Sequence, residues 1–325
     1  MASSSYNAST AAAELVHDLA TRIKGKIILV TGVSPGGLGA VFAEAVAEAQ
    51  PAALILAGRN PARVAETVKS ITALNNNISV RSLTLDLGSL VKVREAASEV
   101  NSWDDITHIN VLINNAGIMA TDYARSPEGF EGQFATNHLG PFLFTNLIMN
   151  KILAAKNPRI VNVSSDGHRL HPIRFFDCNF SDGELYDKWA AYGQSKTANM
   201  LMALSLAQKL GESRGLVSCS LHPGVIGTNL TSHLGSFDDL NAADKQLGNR
   251  EGWADFKWKT PEQGAATHVY AAFHPDLQAH NGAYLQDCHV ADPWEDTVKP
   301  WGTNVIEAER LWKLSEELVG QKFSY

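Results

Sequence analysis

Two side chains four positions apart, Tyr192 and Lys196, carry the most suggestive chemistry in this 325-residue chain. They sit in Tyr192-Gly-Gln-Ser-Lys196, inside a run from Tyr192 to Leu210 whose pattern predicts a helix, so they share a face. A phenol of ordinary pKa, ~10, is a poor base near neutrality. An adjacent ammonium favours the phenolate. Lowering the phenol by about three units takes roughly 4 kcal/mol of differential interaction, within reach of close positive charge in a partly dry cleft. Ser165 follows an apolar stretch, Arg159 to Val163. A hydroxyl there can donate to a substrate oxygen and stabilise the negative charge that develops on it. Capping a turn is the other use of such a serine, and it fits Ser164 as well. Asn137 lies in the otherwise apolar helical stretch FATNHLGPF, where a buried amide needs a partner.

These groups require a scaffold, and its opening is legible. Ile27-Ile28-Leu29-Val30 is short, apolar and β-branched, as a strand buried on both faces should be. Thr31-Gly32 ends it, Gly36-Gly37-Leu38-Gly39 turns the chain, and an Ala-rich amphipathic helix begins. Strand, glycine turn and helix in that order form a dinucleotide-binding opening. Glycine lets the backbone approach a pyrophosphate, and the helix N-terminus offers free N–H groups and partial positive charge.

The pattern repeats along the chain. Strands are expected at 53–57, 80–87, 111–113, 159–163 and 217–221, with a seventh at 283–285. Helices are expected after Pro61, over 90–100, over 130–153 (long, or divided near Gly140-Pro141), over 192–210 and over 307–318. This alternation predicts an α/β, single-domain Rossmann-type doubly wound parallel sheet of about seven strands with helices on both faces. Residues 1–24 read as a tail and a surface helix, the first ten disordered, with Leu15, Val16, Leu19 and Ile23 turned to one side. Residues 25–325 read as one nucleotide-binding domain. The polar and glycine signals fall after strands, at the edge where open α/β sheets bind ligands: Gly32–Gly39, Arg59, Asp86, Asn114–Gly117, Ser164–Ser165 and His222–Thr228.

Composition excludes several classes. The chain is 45% apolar and 19% charged with net charge −7, an ordinary globular balance with no basic run to suggest nucleic acid or an anionic membrane as partner. No apolar run reaches the ~20 residues of a membrane span, and the N-terminus lacks the layout of a signal peptide. Cys178, Cys219 and Cys288 are odd in number and show no metal spacing, so a reducing, cytoplasmic setting and no metal are expected.

In this order and spacing the pieces resemble the short-chain dehydrogenase/reductase family over about Gly25 to Gly320. They are Thr31-Gly32 with Gly37-Leu38-Gly39, Asp86-Leu87, Asn114-Asn115-Ala116-Gly117, Asn137, Ser165, Tyr192-Gly-Gln-Ser-Lys196, and Pro223-Gly224 with Thr228. FATNHLGPF, RIVNVSS, NGAYLQDC and ERLWKLSEELVG look most like its retinol-dehydrogenase-like and WW-domain-oxidoreductase-like branch. One departure is visible: four residues separate Gly32 from Gly37, where the family pattern has three.

The resemblance implies roles. Tyr192 would be the general acid/base and Lys196 would lower its pKa and hold the nicotinamide ribose. Ser165, the second of its pair, would stabilise the substrate oxygen. Asn137 would hold a water that links the lysine to solvent. Asp86 and Leu87 look like adenine contacts, Asn115 to Gly117 like the floor under the adenine ribose, and Val225 and Thr228 like carboxamide contacts. NAD-specific members carry an acid at the end of the second strand. Here Gly58-Arg59 stands there, and arginine suits a 2′-phosphate, so NADP(H) is the expected cofactor.

The implied activity is NADP(H)-dependent interconversion of an alcohol and a ketone or aldehyde on a small apolar molecule. The alternatives are NADPH-dependent C=C reduction, or a sensor or scaffold protein that binds NADP(H) without turnover. The region 228–262, with Phe237, Trp253, Phe256 and Trp258, suits a lid over an apolar substrate. His168 and His171 read as loop polarity. The helix at 307–318, with Leu311 and Trp312, reads as core or subunit contact, which leaves room for a homodimer or homotetramer.

Overall fold

The computed structural model describes residues 6–231, 234, 238–246 and 257–325. The strands are β1 Ile27–Thr31, β2 Ala53–Gly58, β3 Ser79–Thr84, β4 Val111–Asn114, β5 Arg159–Val163, β6 Val217–His222, β7 Tyr284–Gln286 and β8 His289–Val290. They form one sheet in the order β3-β2-β1-β4-β5-β6-β7-β8. All pairings are parallel except the last, where β7 and β8 run antiparallel. The eighth strand was not foreseen: two residues after a tight turn carry no periodicity to read. β3 also ends earlier than its sequence suggests, so Asp86 and Leu87 lie beyond it.

The helices are α1 Ala12–Asp18, α2 Ala20–Ile23, α3 Leu38–Ala47, α4 Pro61–Leu74, α5 Leu90–Ser102, α6 Gly132–Phe134, α7 Gly140–Leu147, α8 Met149–Leu153, α9 Lys188–Arg214, α10 Asp238–Gln246, α11 Pro261–Phe273 and α12 Val305–Leu318. Local chemistry fixes their ends. Asn60 caps α4 by accepting from Ala62 and Arg63 N–H, with Pro61 at the first helical position. Asp187 caps α9 in the same way, and Gly215, with φ at +67°, closes it.

Alternation along each strand divides the core in two. Leu29, Ala53, Ile55 and Ala57 face α5, α7, α9 and α12. Ile28, Val30, Leu54 and Leu56 face α1, α3, α4 and α11. Leu15, Val16, Leu19 and Ile23 are all buried there, and α1 packs against α11 and α3. Disorder through the first ten residues does not hold for 6–10: the Tyr6 hydroxyl donates to Asp18 and its ring meets Tyr270 and His274 edge-on. Leu311 and Trp312 of α12 are core residues.

The stretch 130–153 divides at Gly140, but through a π-helical turn, Ala135–Leu139, inserted between α6 and α7. Such single π turns cluster at functional sites. Asn137 is its central residue.

Candidate functional site

The strand order reverses between β1 and β4, and this opens a crevice at their C-terminal ends. Gly32 leaves β1 with φ at +75° and lies so close to Ala116 that a Cβ would meet its Cα at 2.6 Å. Gly39 is equally confined, with Asn115 Nδ2 at 2.5 Å and the Gly32 carbonyl oxygen at 2.7 Å from a Cβ placed there. Asn115 Nδ2 donates to the Thr31 and Gly32 carbonyls at 2.9 and 3.1 Å. The Thr31 hydroxyl accepts from the backbone N–H groups of Asn115 and Ala116. The ends of β1 and β4 are thus laced together beneath the glycine turn.

Within that turn Gly36 takes left-handed backbone, with φ at +75°. Gly37 is extended and caps α3 through its backbone, with no side-chain cap on the helix. From across the crevice the Asn229 amide donates to the Pro35 carbonyl at 2.9 Å. Nothing in the local sequence marks Asn229, because its partner lies 194 positions away.

On the β5 side, the Ser164 hydroxyl donates to the Lys196 carbonyl at 2.7 Å and fastens α9 to the sheet. The Ser165 hydroxyl accepts from Gly167 N–H at 2.9 Å, so it caps its turn, and it also interacts with the Tyr192 phenol. Of the two uses of a serine foreseen for the pair, the turn cap is present. Tyr192 is 4% exposed. Lys196 Nζ lies 5.5 Å from the centre of its ring and donates to the Val163 carbonyl at 3.1 Å.

The electrostatics differ from the expectation. Burial raises the Tyr192 phenol to about 12, against a smaller opposite pull from Ser165. Burial also lowers the Lys196 ammonium to about 8. Desolvation is the leading cause for both groups. The protein groups alone do not make the phenol acidic.

Asn137 is fully buried and serves as a brace. Its Nδ2 donates to the Ile118 carbonyl at 2.8 Å and to Ser195 Oγ at 2.9 Å, and its Oδ1 accepts from Ile118 N–H at 2.8 Å. The Ser195 hydroxyl in turn donates to the Tyr192 carbonyl. Asn137 Oδ1 and Lys196 Nζ both border Gly117, at 3.1 and 3.3 Å from a Cβ placed there. Gly117, Asn137, Ser165, Tyr192 and Lys196 thus converge where β4 and β5 end.

The other expected residues lie along the same edge. Arg59 is exposed after β2. A Cβ at Gly58 would meet Val64 Cγ2 at 2.8 Å, so a side chain there would require Val64 to shift. Asp86 Oδ1 accepts from Gly88 N–H. The Leu87 side chain is buried in the core against α5 and α7. Val225 forms a bridge with Trp258, and Thr228 Oγ1 accepts from Leu230 N–H. Among the expected lid aromatics, Phe237, Trp253 and Phe256 fall outside the described residues. α10 is held over the site by two ion pairs, Lys188 with Asp239 at 2.7 Å and Arg169 with Asp244 at 3.2 Å. Beneath it Met119, Leu170, Trp189, Tyr192 and Leu240 form one apolar cluster.

Sequence reasoning treated His168 as loop polarity, and the structure corrects this. His168 is fully buried. Its Nδ1 lies 2.9 Å from the Ser165 carbonyl, its Nε2 accepts from Lys299 N–H, and its carbonyl accepts from Trp301 and Thr197. It ties the Ser165 turn to the 299–301 segment. Its expected neighbour His171 is half-buried against Phe180. No group of three or more His, Cys, Asp or Glu among the described residues could hold a metal.

Comparison with known proteins agrees with this architecture. The family model for short chain dehydrogenases matches residues 26–176. A short-chain dehydrogenase of Brassica napus, TIC 32 B, chloroplastic, is 33% identical, with 97% of this chain and 95% of that protein covered. Human retinol dehydrogenase 11 is 35% identical over 92% of this chain and 87% of its own length. Among solved structures, an uncharacterised protein from Mycobacterium paratuberculosis superposes with a TM-score of 0.70 at 28% identity, covering 94% of this chain and 98% of that one. The chain belongs to the short-chain dehydrogenase/reductase family of oxidoreductases, whose cofactor is NAD or NADP. Within that family it stands in the retinol-dehydrogenase-like branch. No helix among the described residues is long and apolar enough to cross a membrane.

Proposed function

We propose that this protein is an NADP(H)-dependent oxidoreductase that interconverts an alcohol and a ketone or aldehyde on an apolar substrate. The observation that carries this reading is the convergence of Ser165, Tyr192 and Lys196 beside a glycine-lined crevice, under an apolar cluster that includes the Tyr192 ring. The crevice fits a dinucleotide. Gly32 and Gly36 adopt left-handed backbone, the ten-residue helix α3 presents an N-terminus without a side-chain cap, and Gly117 keeps Lys196 Nζ close to the β4 end. Gly36, Gly37 and the start of α3 would hold the pyrophosphate. Lys196 would hold the nicotinamide ribose, with Asn115 to Gly117 beneath the adenine ribose, Asp86 and Leu87 at the adenine, and Val225 and Thr228 at the carboxamide. The crowded Gly58 and the exposed Arg59 favour NADP(H) over NAD(H).

When bound, the nicotinamide cofactor supplies or accepts the hydride and, in its oxidised form, adds a positive charge beside the phenol. In the reductive direction Tyr192, protonated at neutral pH, gives its proton to the substrate oxygen. The Ser165 hydroxyl donates a hydrogen bond to that same oxygen and stabilises its developing charge. Lys196 supplies cationic charge next to the phenolate that remains. Asn137 fixes the 118 segment against α9, which keeps Tyr192 in register. The apolar cluster around the ring excludes water from the proton transfer. Segment 228–262, with α10 within it, would act as the cover.

NADPH oxidation against a panel of ketones and aldehydes tests the reading. Tyr192→Phe should lower kcat by about 10²-fold or more while the Kd for NADPH changes little, and catalysis retained in that variant would overturn the role of Tyr192. Arg59→Asp should move the preference toward NADH; an unchanged NADPH/NADH ratio of kcat/KM would mean the 2′-phosphate is held elsewhere.

A further inference from the structure

α10 is nine residues long, and the side chains it buries are Leu240 and Asp244. Four positions apart, the two share a face. Leu240 joins Met119, Leu170, Trp189 and Tyr192 in one apolar cluster, so α10 contributes a wall beside the Tyr192 ring. An isolated helix of this length is marginal in water. One buried leucine holds it loosely, because an apolar contact has no direction.

Asp244 supplies the direction. It is fully buried, and Arg169 Nη2 donates to its Oδ2 at 3.2 Å. Arg169 is itself 3% exposed, and its Nε lies 3.7 Å from Asp166 Oδ2. Asp166 to Leu170 form the 3-10 turn that follows Ser165 and is capped by the Ser165 hydroxyl. One guanidinium thus joins the wall to the turn behind Ser165. The other ion pair of α10, Lys188 with Asp239, reaches the surface, where such pairs hold little.

A buried ion pair is a poor way to gain stability: matched apolar side chains do as well or better, since two charges must leave water. What it can supply is registry, because the planar fork of arginine accepts a carboxylate in few positions. An apolar pair at the same place would hold α10 yet let it slide. Resting on the function proposed above, we infer that Arg169 is a positioning residue for substrate choice: through Asp244 it sets where Leu240 stands beside Tyr192. The favoured substrates are carbonyl compounds, or their alcohols, whose apolar chain is long enough to reach Leu240.

The test uses the full chain with NADPH and two ketones, butan-2-one and octan-2-one, compared by kcat/KM in the wild type, Arg169→Lys and the double variant Arg169→Met/Asp244→Leu. The wild type should prefer octan-2-one. The double variant leaves neither charge buried without its partner, so its Tm should stay near that of the wild type. Its preference for octan-2-one should nonetheless fall about tenfold, through a rise in KM for that ketone. Arg169→Lys, which keeps the charge without the fork, should retain part of the preference. Wild-type preference in a folded double variant, or equal losses on both ketones, would overturn the inference; if the double variant fails to fold, Arg169→Lys decides by the same ratio. Wild-type turnover without preference refutes only the role of Arg169. No NADPH oxidation with any carbonyl compound refutes the proposed function itself.

Discussion

One methyl group added at Gly167 should disable turnover while sparing the cofactor site. A Cβ built on Gly167 meets Tyr192 Cε1 at 2.6 Å and Cδ1 at 2.9 Å, and Ser165 Oγ at 3.2 Å. Carbon atoms settle at about 3.5–4.0 Å, so the ring or the turn must retreat by about 1 Å. Gly167 does not use the left-handed region, so alanine brings no backbone strain and only the collision is tested. Both sides of the collision are pinned. The Tyr192 ring is packed among Leu170, Trp189 and Met119. The turn is tied through Ser165 to Gly167 N–H and through His168 to Thr197, Lys299 and Trp301. Displacing a reacting group by about 1 Å costs on the order of 10²-fold in rate, and overpacking a tight core costs about 1–3 kcal/mol. Gly167→Ala should therefore lower kcat by about 10²-fold, lower Tm by a few degrees, and leave the Kd for NADPH within about twofold. Steady-state kinetics, a thermal melt and a fluorescence titration of NADPH measure the three. Wild-type kcat in a folded Gly167→Ala protein would show that the ring yields freely, and the argument that Tyr192 is held rigidly would fail.

Two further expectations follow from the same geometry. Asn115→Ala removes both bonds to the Thr31 and Gly32 carbonyls; unfolding in urea should show a loss of about 1–3 kcal/mol together with weaker NADPH binding, and an unchanged midpoint would mean that the lacing between β1 and β4 is redundant. Lys196 should make stability depend on pH. Its folded pKa of about 8 lies below the ordinary lysine value of 10.5, so the unfolded chain binds more protons above pH 8. Lys196 should then contribute increasing stability from about pH 8 to 10, while the raised thiols of Cys178, Cys219 and Cys288 and the raised Tyr192 phenol act in the opposite direction. Urea midpoints across that range should rise in the wild type relative to Lys196→Met, in which the cysteine and tyrosine contributions are unchanged; parallel curves would refute the depressed lysine.

Much of the site was legible because its pieces are local. Tyr192 and Lys196 are one helical turn apart, and the glycine turn, the Asn115–Gly117 corner and the Ser164–Ser165 pair each follow a strand directly. The loop lengthened by one residue was visible too, but its solution was not. Left-handed backbone at Gly36 and the reach of Asn229 to Pro35 depend on how two distant segments face each other. His168 misled for the same reason: a histidine in a polar loop looks solvated until Lys299 and Trp301 close over it. Gly167 carried no signal, since its importance lies in what a neighbouring ring permits.

By itself the sequence determined the alternation of buried strands and amphipathic helices, the edge where the polar residues gather and the identity of the residues at that edge. These follow from periodicity and chain order, which act over a few residues. Tertiary structure decided the protonation balance of Tyr192 and Lys196, the π turn that sets Asn137 as a brace, and the seam between the glycine turn and Asn229. Each depends on desolvation or contact between segments far apart in the chain, and those exist only once the sheet has brought its strand ends together.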